Sequence, residues 1–319
     1  MFDEACVYAP AKINLGLNVL PVRNDGFHEI ESIFQTVSIS DKLEIRFLED
    51  YGKCSVFCED LVLPLKNTIT LAYDAFCKVV AVPVHSVAVK LTKHIPDGGG
   101  LGGGSSDAAA FIRALEKAYD LSFTDAQLDF IASEVGSDVF FFIHCEKDGC
   151  GCAVVSGRGE NLRFVSKRSD LYFVLAFPNV HSSTKEAYAL IDEQFDKKTG
   201  LVYPSLDELE SIYNSPVEEW TFKNAFTPVL VNKYPEIGYY IERIRKTDAL
   251  YVNMSGSGST VFGVYAVREK ALDAVKSLGY EGIRCLLTSW FFFMHISFVL
   301  RRIAYADYRV AYPKGRRRR

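Results

Sequence analysis

The chain has 319 residues, 49% of them apolar and 24% charged, which suits a soluble protein of about two domains with a real core. The net charge of −4 conceals a local +7 over residues 301–319, where eight Lys/Arg stand against Asp307, so residues 1–300 sum to −11. An acidic body gives no reason to expect nucleic acid as a partner.

Cysteines stand at 6, 54, 58, 77, 145, 150, 152 and 285. The opening MFDEACVYAP is acidic and has no apolar leader run, and Cys54-x3-Cys58 and Cys150-x-Cys152 lack the paired spacing or His partners of a tetrahedral metal site. The expectation is a cytoplasmic protein with reduced cysteines used as small apolar residues and no metal held by side-chain clusters.

In chain order, Ala5–Asn18 reads as a strand, and Lys42–Phe47 as another with period-two apolar spacing. Apolar residues over Asn67–Val80 recur at helical spacing, with Asn67 or Thr68 as N-cap. Ser86–Thr92 alternates and is expected to be a strand, followed by a glycine loop and a helix over Ala108–Tyr119. A further helix over Thr124–Glu134 would be capped by Thr124, and Asp148-Gly149 marks a tight turn before a strand over Cys152–Ser156. Leu171–Phe177 opens a second block with a strand, a helix over Lys185–Phe195 and a polar connector to about Pro216. Helices are expected around Thr221–Val231, Ile237–Thr247 and Val267–Ser277, with strands Leu250–Met254 and Thr260–Tyr265 around a Gly/Ser loop. The domain boundary should fall between residues 158 and 170, and no internal repeat is visible.

Chemistry concentrates in Pro96-Asp97-Gly98-Gly99-Gly100-Leu101-Gly102-Gly103-Gly104-Ser105-Ser106-Asp107. Its glycines leave backbone N–H groups free to approach a ligand, and the helix that follows offers its own free amides to an anion. A strand–loop–helix setting favours a phosphate loop over a plain linker. Gly98-x-Gly100-x-x-Gly103 formally matches the dinucleotide fingerprint, but the strand before it alternates instead of running continuously apolar. No Lys follows the glycines as a Walker loop requires, and neither His-Arg-Asp nor Asp-Phe-Gly occurs.

Two more segments accompany it: Ala9-Pro10-Ala11-Lys12-Ile13-Asn14-Leu15-Gly16-Leu17 near the start, and Asn253-Met254-Ser255-Gly256-Ser257-Gly258-Ser259-Thr260-Val261-Phe262 near the end. With the central loop they resemble the three motifs of the GHMP kinase superfamily in order and spacing. Arg23-Asn24-Asp25-Gly26-Phe27-His28 and Gly136-Ser137-Asp138-Val139 resemble the branch that phosphorylates a cytidine-diphosphate-tagged alcohol in isoprenoid precursor synthesis. The resemblance covers roughly residues 5–285.

It implies an α+β fold of two domains, a ribosomal-S5-like N-terminal domain over 1–163 and a ferredoxin-like C-terminal domain over 164–290, with the active site between them. It implies Lys12 and Asp138 as catalytic residues, Asp138 taking the proton of the acceptor hydroxyl and Lys12 steadying that hydroxyl and the phosphoryl charge. Pro96, Asp97, Gly98, Gly99, Gly100, Leu101, Gly102, Gly103, Gly104, Ser105 and Ser106 would wrap the ATP phosphates, with Asn67, Thr68 and Lys93 near the adenosine. Phe27, His28 and Tyr188 would sandwich and hydrogen-bond the cytosine, and Asn14 and Thr184 would line the substrate pocket. ATP is the implied cosubstrate with Mg²⁺, for which Ser105, Ser106 and the phosphates are candidate ligands. The partner is a small molecule carrying a cytidine diphosphate group, and the protein would act as a monomer or weak homodimer. A Lys beside an Asp keeps both ionised, which suits a base and a charge stabiliser in phosphoryl transfer. Two departures stand out: Phe140 occupies a position that is often Pro in the family, and Phe27 one that is commonly Tyr.

Two other readings use the same residues. One is a superfamily kinase for mevalonate, homoserine or a sugar, against which the Gly26-Phe27-His28 segment argues; the other is a non-catalytic binding protein, against which Lys12 and Asp138 argue. After Cys285 comes the uncharged run Leu286–Leu300, then the basic end. Fifteen residues fall short of the ~20 that span a bilayer. Part of Leu286–Trp290 is expected to complete the last strand; of three readings of 291–319, an incidental extension, a peripheral membrane anchor favoured by basic flanks, or a nucleic-acid-binding arm, the first is preferred.

Overall fold

A computed structural model describes residues 3–145, 151–196, 203–289 and the backbone of 297–299. The Asp148–Gly149 turn lies outside the described residues, as do Trp290 and most of the stretch 291–319.

The N-terminal half comprises β1 (Glu4–Val22), β2 (His28–Tyr51), β3 (Cys54–Cys58), α1 (Thr68–Val79), β4 (His85–Thr92), α2 (Gly103–Ala118), α3 (Asp125–Val135), α4 (Ser137–His144), β5 (Cys152–Gly157) and β6 (Asn161–Phe164). β1 and β2 form a long antiparallel ladder broken by register shifts at Pro10/Ala11, Asn14/Gly16 and Val19/Val22. The sheet runs β11–β1–β2–β4–β3, where β11 (Ser297–Val299) pairs with Glu4–Cys6, and β5 and β6 extend it from the first half of β2. Bulges at these points bend and twist β1, as such insertions do. From Ala9 to Leu17 every residue of β1 is buried, because both faces of the strand are covered. Lys12 and Asn14 therefore enter the interior on the same face of the strand.

The second half comprises β7 (Tyr172–Ala176), α5 (Thr184–Asp196), α6 (Leu206–Asn214), α7 (Phe226–Lys233), α8 (Pro235–Arg245), β8 (Tyr251–Met254), β9 (Val261–Tyr265), α9 (Arg268–Tyr280) and β10 (Cys285–Ser289). Its antiparallel sheet has the order β10–β7–β9–β8, the fourth, first, third and second strands of the block, which is the ferredoxin-like order. The two sheets are sewn together at β10: Ser38 N–H donates to Thr288 Oγ1 at 2.9 Å and Ser289 N–H to Ser38 Oγ at 3.3 Å.

Several expectations need correction. The strand expected at Lys42–Phe47 is the second half of β2, which begins at His28. The connector to Pro216 holds α6, with a Ser205/Glu208 capping box at its start. The helix expected from Thr221 begins only at Phe226, since Asn224 turns the chain by accepting the Phe226 N–H at 2.9 Å. α2 begins at Gly103, so the last two glycines of the loop are already helical. β3 and β6 are short strands that sequence alternation did not reveal.

Candidate active site

The cleft lies where the glycine loop, β1, the start of α4 and the loop between β8 and β9 converge, with a volume of about 330 Å³. Lys12, Asn14, Thr68, Lys93, residues 96–105, Asp138, Thr184 and Tyr188 line it, together with Gly256 and Ser257.

β1 delivers Lys12 into this cleft with only 4% of its surface exposed. Its ammonium donates to Asn14 Oδ1 at 2.6 Å, lies 3.3 Å from Asp138 Oδ2 and sits 4.5 Å above the Phe34 ring. Asn14 is fixed in turn by donating from Nδ2 to Ser32 Oγ at 3.0 Å. Asp138 stands in the first turn of α4, where the helix amides favour a carboxylate, and it remains partly open to the cleft. Phe140, in place of Pro, continues the same helix, and Phe141 beside it packs edge-on against Phe34, the ring beneath Lys12.

The glycine loop approaches backbone so closely that side chains would not fit. Gly100 has φ +74, and a Cβ there would run into the Ser255 carbonyl oxygen and lie 3.2 Å from the Gly258 nitrogen. Ser255 Oγ donates to the Gly100 carbonyl at 2.9 Å and accepts the Asn14 N–H at 3.2 Å. The Lys12 N–H donates to Leu101 O at 2.9 Å. Three segments distant in sequence are thus locked together just before the start of α2. A lysine and a carboxylate that share a cleft with a glycine loop are groups that phosphoryl transfer can use.

Lys93 is held below the loop by two carboxylates. It pairs with Asp41, which is fully buried, and with Asp107 at 3.0 Å. Asp41 Oδ1 also accepts the N–H groups of His94 at 2.6 Å and Ile95 at 2.8 Å, which pins the start of the loop. Burial above all, and then the Asp41 carboxylate, push the Asp107 carboxyl up to about 8 against the pull of Lys93. The ammonium of Lys93 rises despite its burial, because both carboxylates favour its charge.

At the other end, His28 Nδ1 donates to the Leu20 carbonyl at 2.7 Å, its Nε2 lies 3.3 Å from Asp192, and its ring stacks on Tyr188 at 4.9 Å. Burial, with the Asp138 carboxylate adding to it, pushes the Tyr188 phenol up to about 12, so it is neutral at physiological pH. Thr184 and Tyr188 share one face of α5, and Thr184 Oγ1 meets Ser257 Oγ at 3.0 Å. Phe27 is half-exposed at the outer end.

The fold brings together Lys12, Asn14, Asp138, the glycine loop, Thr184 and Tyr188. Asn67 is turned away to cap α1, accepting the N–H groups of Ile69 and Thr70, while Thr68 beside it lines the cleft. Ser106 is buried in the first turn of α2 with its hydroxyl unpartnered among the described residues. Sequence reasoning gave no role to Ser255 and Asp107, which lay inside motifs it had marked, or to Phe34 and Asp41, whose positions carry no local signal.

Two family models match the chain: the GHMP kinases N terminal domain over residues 67–146 and the GHMP kinases C terminal domain over 205–281. The 4-diphosphocytidyl-2-C-methyl-D-erythritol kinase of Treponema pallidum (strain Nichols) is 33% identical over 290 residues, 87% of this chain and 96% of the relative. The enzyme of the same name from Pseudothermotoga lettingae is 35% identical over 263 residues, covering 82% and 92%. A crystal structure of 4-(cytidine 5'-diphospho)-2C-methyl-D-erythritol kinase superposes with a TM-score of 0.71 at 28% identity, over 89% of this chain and 98% of the other. Homoserine kinase from Cytophaga hutchinsonii shares the fold, with a TM-score of 0.68 at 18% identity over 94% and 98%. The chain belongs to the GHMP kinases and, within them, to the family of 4-diphosphocytidyl-2-C-methyl-D-erythritol kinases.

Proposed function

We propose that the chain transfers the γ-phosphoryl group of ATP to the 2-hydroxyl of 4-diphosphocytidyl-2-C-methyl-D-erythritol, a step of non-mevalonate isoprenoid precursor synthesis. The observation that carries this reading is the Lys12–Asp138 pair at 3.3 Å facing the glycine loop, in a chain matched along most of its length by kinases of that name.

Asp138 accepts the proton as the hydroxyl oxygen bonds to the γ-phosphorus and the bond to ADP breaks. Lys12 holds that hydroxyl and offsets the charge on the moving phosphoryl group, and Asn14 orients Lys12. The amides of residues 96–106 receive the triphosphate, while Thr68 and Lys93 border the adenosine and Asn67 caps the helix that carries Thr68. Phe27, His28 and Tyr188 receive the cytosine, and Thr184 borders the acceptor.

Mg²⁺ fits this site as a companion of the phosphates, because it keeps water and phosphate ligands and needs few protein oxygens. The unpartnered Ser106 hydroxyl, with Ser105, would supply them, and the ion would neutralise phosphate charge. The division into domains at 1–163 and 164–290, a cytoplasmic location and a monomer or weak homodimer belong to the same reading. Among the described residues no helix is long and apolar enough to cross a membrane.

An ADP-release assay coupled to the diphosphocytidyl alcohol tests the reading. Turnover is expected with this acceptor and not with mevalonate or homoserine. Equal or better turnover with either of those would overturn it.

A further inference from the structure

The turn between β5 and β6 touches both Phe27 and Ser137, the residue before Asp138. Gly157 pairs with Ile30 of β2, two residues beyond His28, so the turn is fastened to the strand that leaves the Phe27 corner. Gly159, at φ +125, abuts the residue before Asp138: a Cβ there would lie 3.1 Å from Ser137 O and 3.3 Å from Ser137 Cβ. Between them stands Arg158, whose guanidinium carbon lies 3.7 Å from the centre of the Phe27 ring.

The charge of Arg158 is available. Lys12 is paired with Asp138, Lys93 with Asp41 and Asp107, and Arg23 with Asp25 at 3.0 Å. The adjacent acid, Glu160, spends its carboxylate on the Arg158 main-chain N–H at 2.5 Å. Among the described residues no carboxylate lies within ion-pair distance of the Arg158 guanidinium.

We propose that Arg158 is a specificity-determining residue that binds the acceptor's diphosphate, an inference that rests on the function proposed above. In the acceptor the base lies at one end, the reacting hydroxyl at the other and the diphosphate between. Along the protein, Phe27 lies at one end, Asp138 at the other and Arg158 on the turn between. A planar guanidinium suits two phosphate oxygens at once, better than a point charge. An Arg stacked on an exposed Phe could instead serve only to hold the ring, and the test separates the two roles.

Inhibition by CDP and by cytidine is measured on the full-length wild type and on Arg158→Leu, which keeps apolar cover over Phe27 but removes the charge. Melting temperature serves as the folding control. The wild type should prefer CDP, and Arg158→Leu should weaken CDP about tenfold, the loss of one charge-assisted contact, while leaving cytidine unchanged. Arg158→Lys should recover part of the loss. The acceptor KM should rise by a similar factor in Arg158→Leu, with kcat and the ATP KM within about twofold of wild type. Equal weakening of CDP and cytidine would reduce Arg158 to a brace for Phe27, and no change in either would remove it from the site; both overturn the proposal. Failure of the wild type to phosphorylate the acceptor would count against the proposed function instead, and the CDP/cytidine comparison reads Arg158 independently of turnover.

Discussion

Replacing Gly100 by alanine isolates how much the site depends on two loops touching backbone to backbone. The residue sits at φ +74, where a side chain costs about 1–2 kcal/mol. Its new Cβ would also enter the Ser255 carbonyl and crowd the Gly258 nitrogen at 3.2 Å. Neither neighbour is a flexible side-chain tip, so the loops must part by roughly 1 Å, a displacement that costs about a hundredfold when it misplaces reacting groups. Gly282 is the matching control, because it has φ +78 and nothing within 4 Å of an added Cβ. Gly282→Ala should therefore lower stability by about 1 kcal/mol, a few degrees in Tm, and leave turnover alone. Gly100→Ala should lose about a hundredfold in kcat/KM in the ADP-release assay, with a larger drop in Tm than the control. Matching behaviour of the two variants would show that the Gly100–Ser255 contact carries no function.

Asp138→Asn should lower kcat by about 10²–10⁴-fold while ATP still binds by calorimetry, and unchanged turnover would end its role as base. Lys93→Met leaves the buried Asp41 carboxylate without its cation, so about 3–5 kcal/mol of stability should be lost in urea unfolding; a variant as stable as wild type would show that the pair does not hold the loop. For Asp107, an acid whose folded value is raised contributes stability that is complete below the unfolded value and is lost as pH rises to about 8. The unfolding free energy of Asp107→Asn should accordingly fall less steeply than wild type between pH 4 and pH 8, and parallel profiles would contradict that shift. Removing residues 291–319 leaves β10 whole and should leave turnover intact, although the short β11 pairing with β1 is lost; failure of the shortened chain to fold would refute this.

The parts legible in the sequence were those whose local pattern matches their environment. The strand β4 alternates because one of its faces is partly open, with Lys90 exposed between half-buried Ala88 and Thr92, and the glycines of residues 98–104 announce a backbone of close approach, as at Gly100 against Ser255. The first half of β2 was lost because Ser32, Gln35 and Thr36 are buried there with Ile33 and Phe34, which erases any period. Its polar groups are satisfied by distant partners, as when Tyr213 donates to Gln35 Oε1 at 3.0 Å. The helix α6 did have a signal, Ser205 followed three residues later by Glu208, which the polar composition of the stretch masked. Lys12 and Asp138 were singled out through flanking motifs, and the fold sets them 3.3 Å apart. Phe34 beneath Lys12, Asp41 beneath the loop and Arg158 over Phe27 were invisible, because each contact joins positions whose proximity only the folded chain creates.

The strand that carries Lys12 leaves the ribosome more than two hundred residues ahead of the groups that finish its edge. Leu15 O receives its hydrogen bonds from Tyr251 Oη at 2.9 Å and Asn253 Nδ2 at 3.2 Å, and the Asn14 N–H is received by Ser255 Oγ. During synthesis, at ~5–20 residues per second, that edge waits ten seconds or more for its partners. A half-made chain therefore has Lys12 but not the Ser255 contacts that join β1 to the glycine loop. On the proposed function, ATP would stabilise the chain only once it has been translated past Ser255.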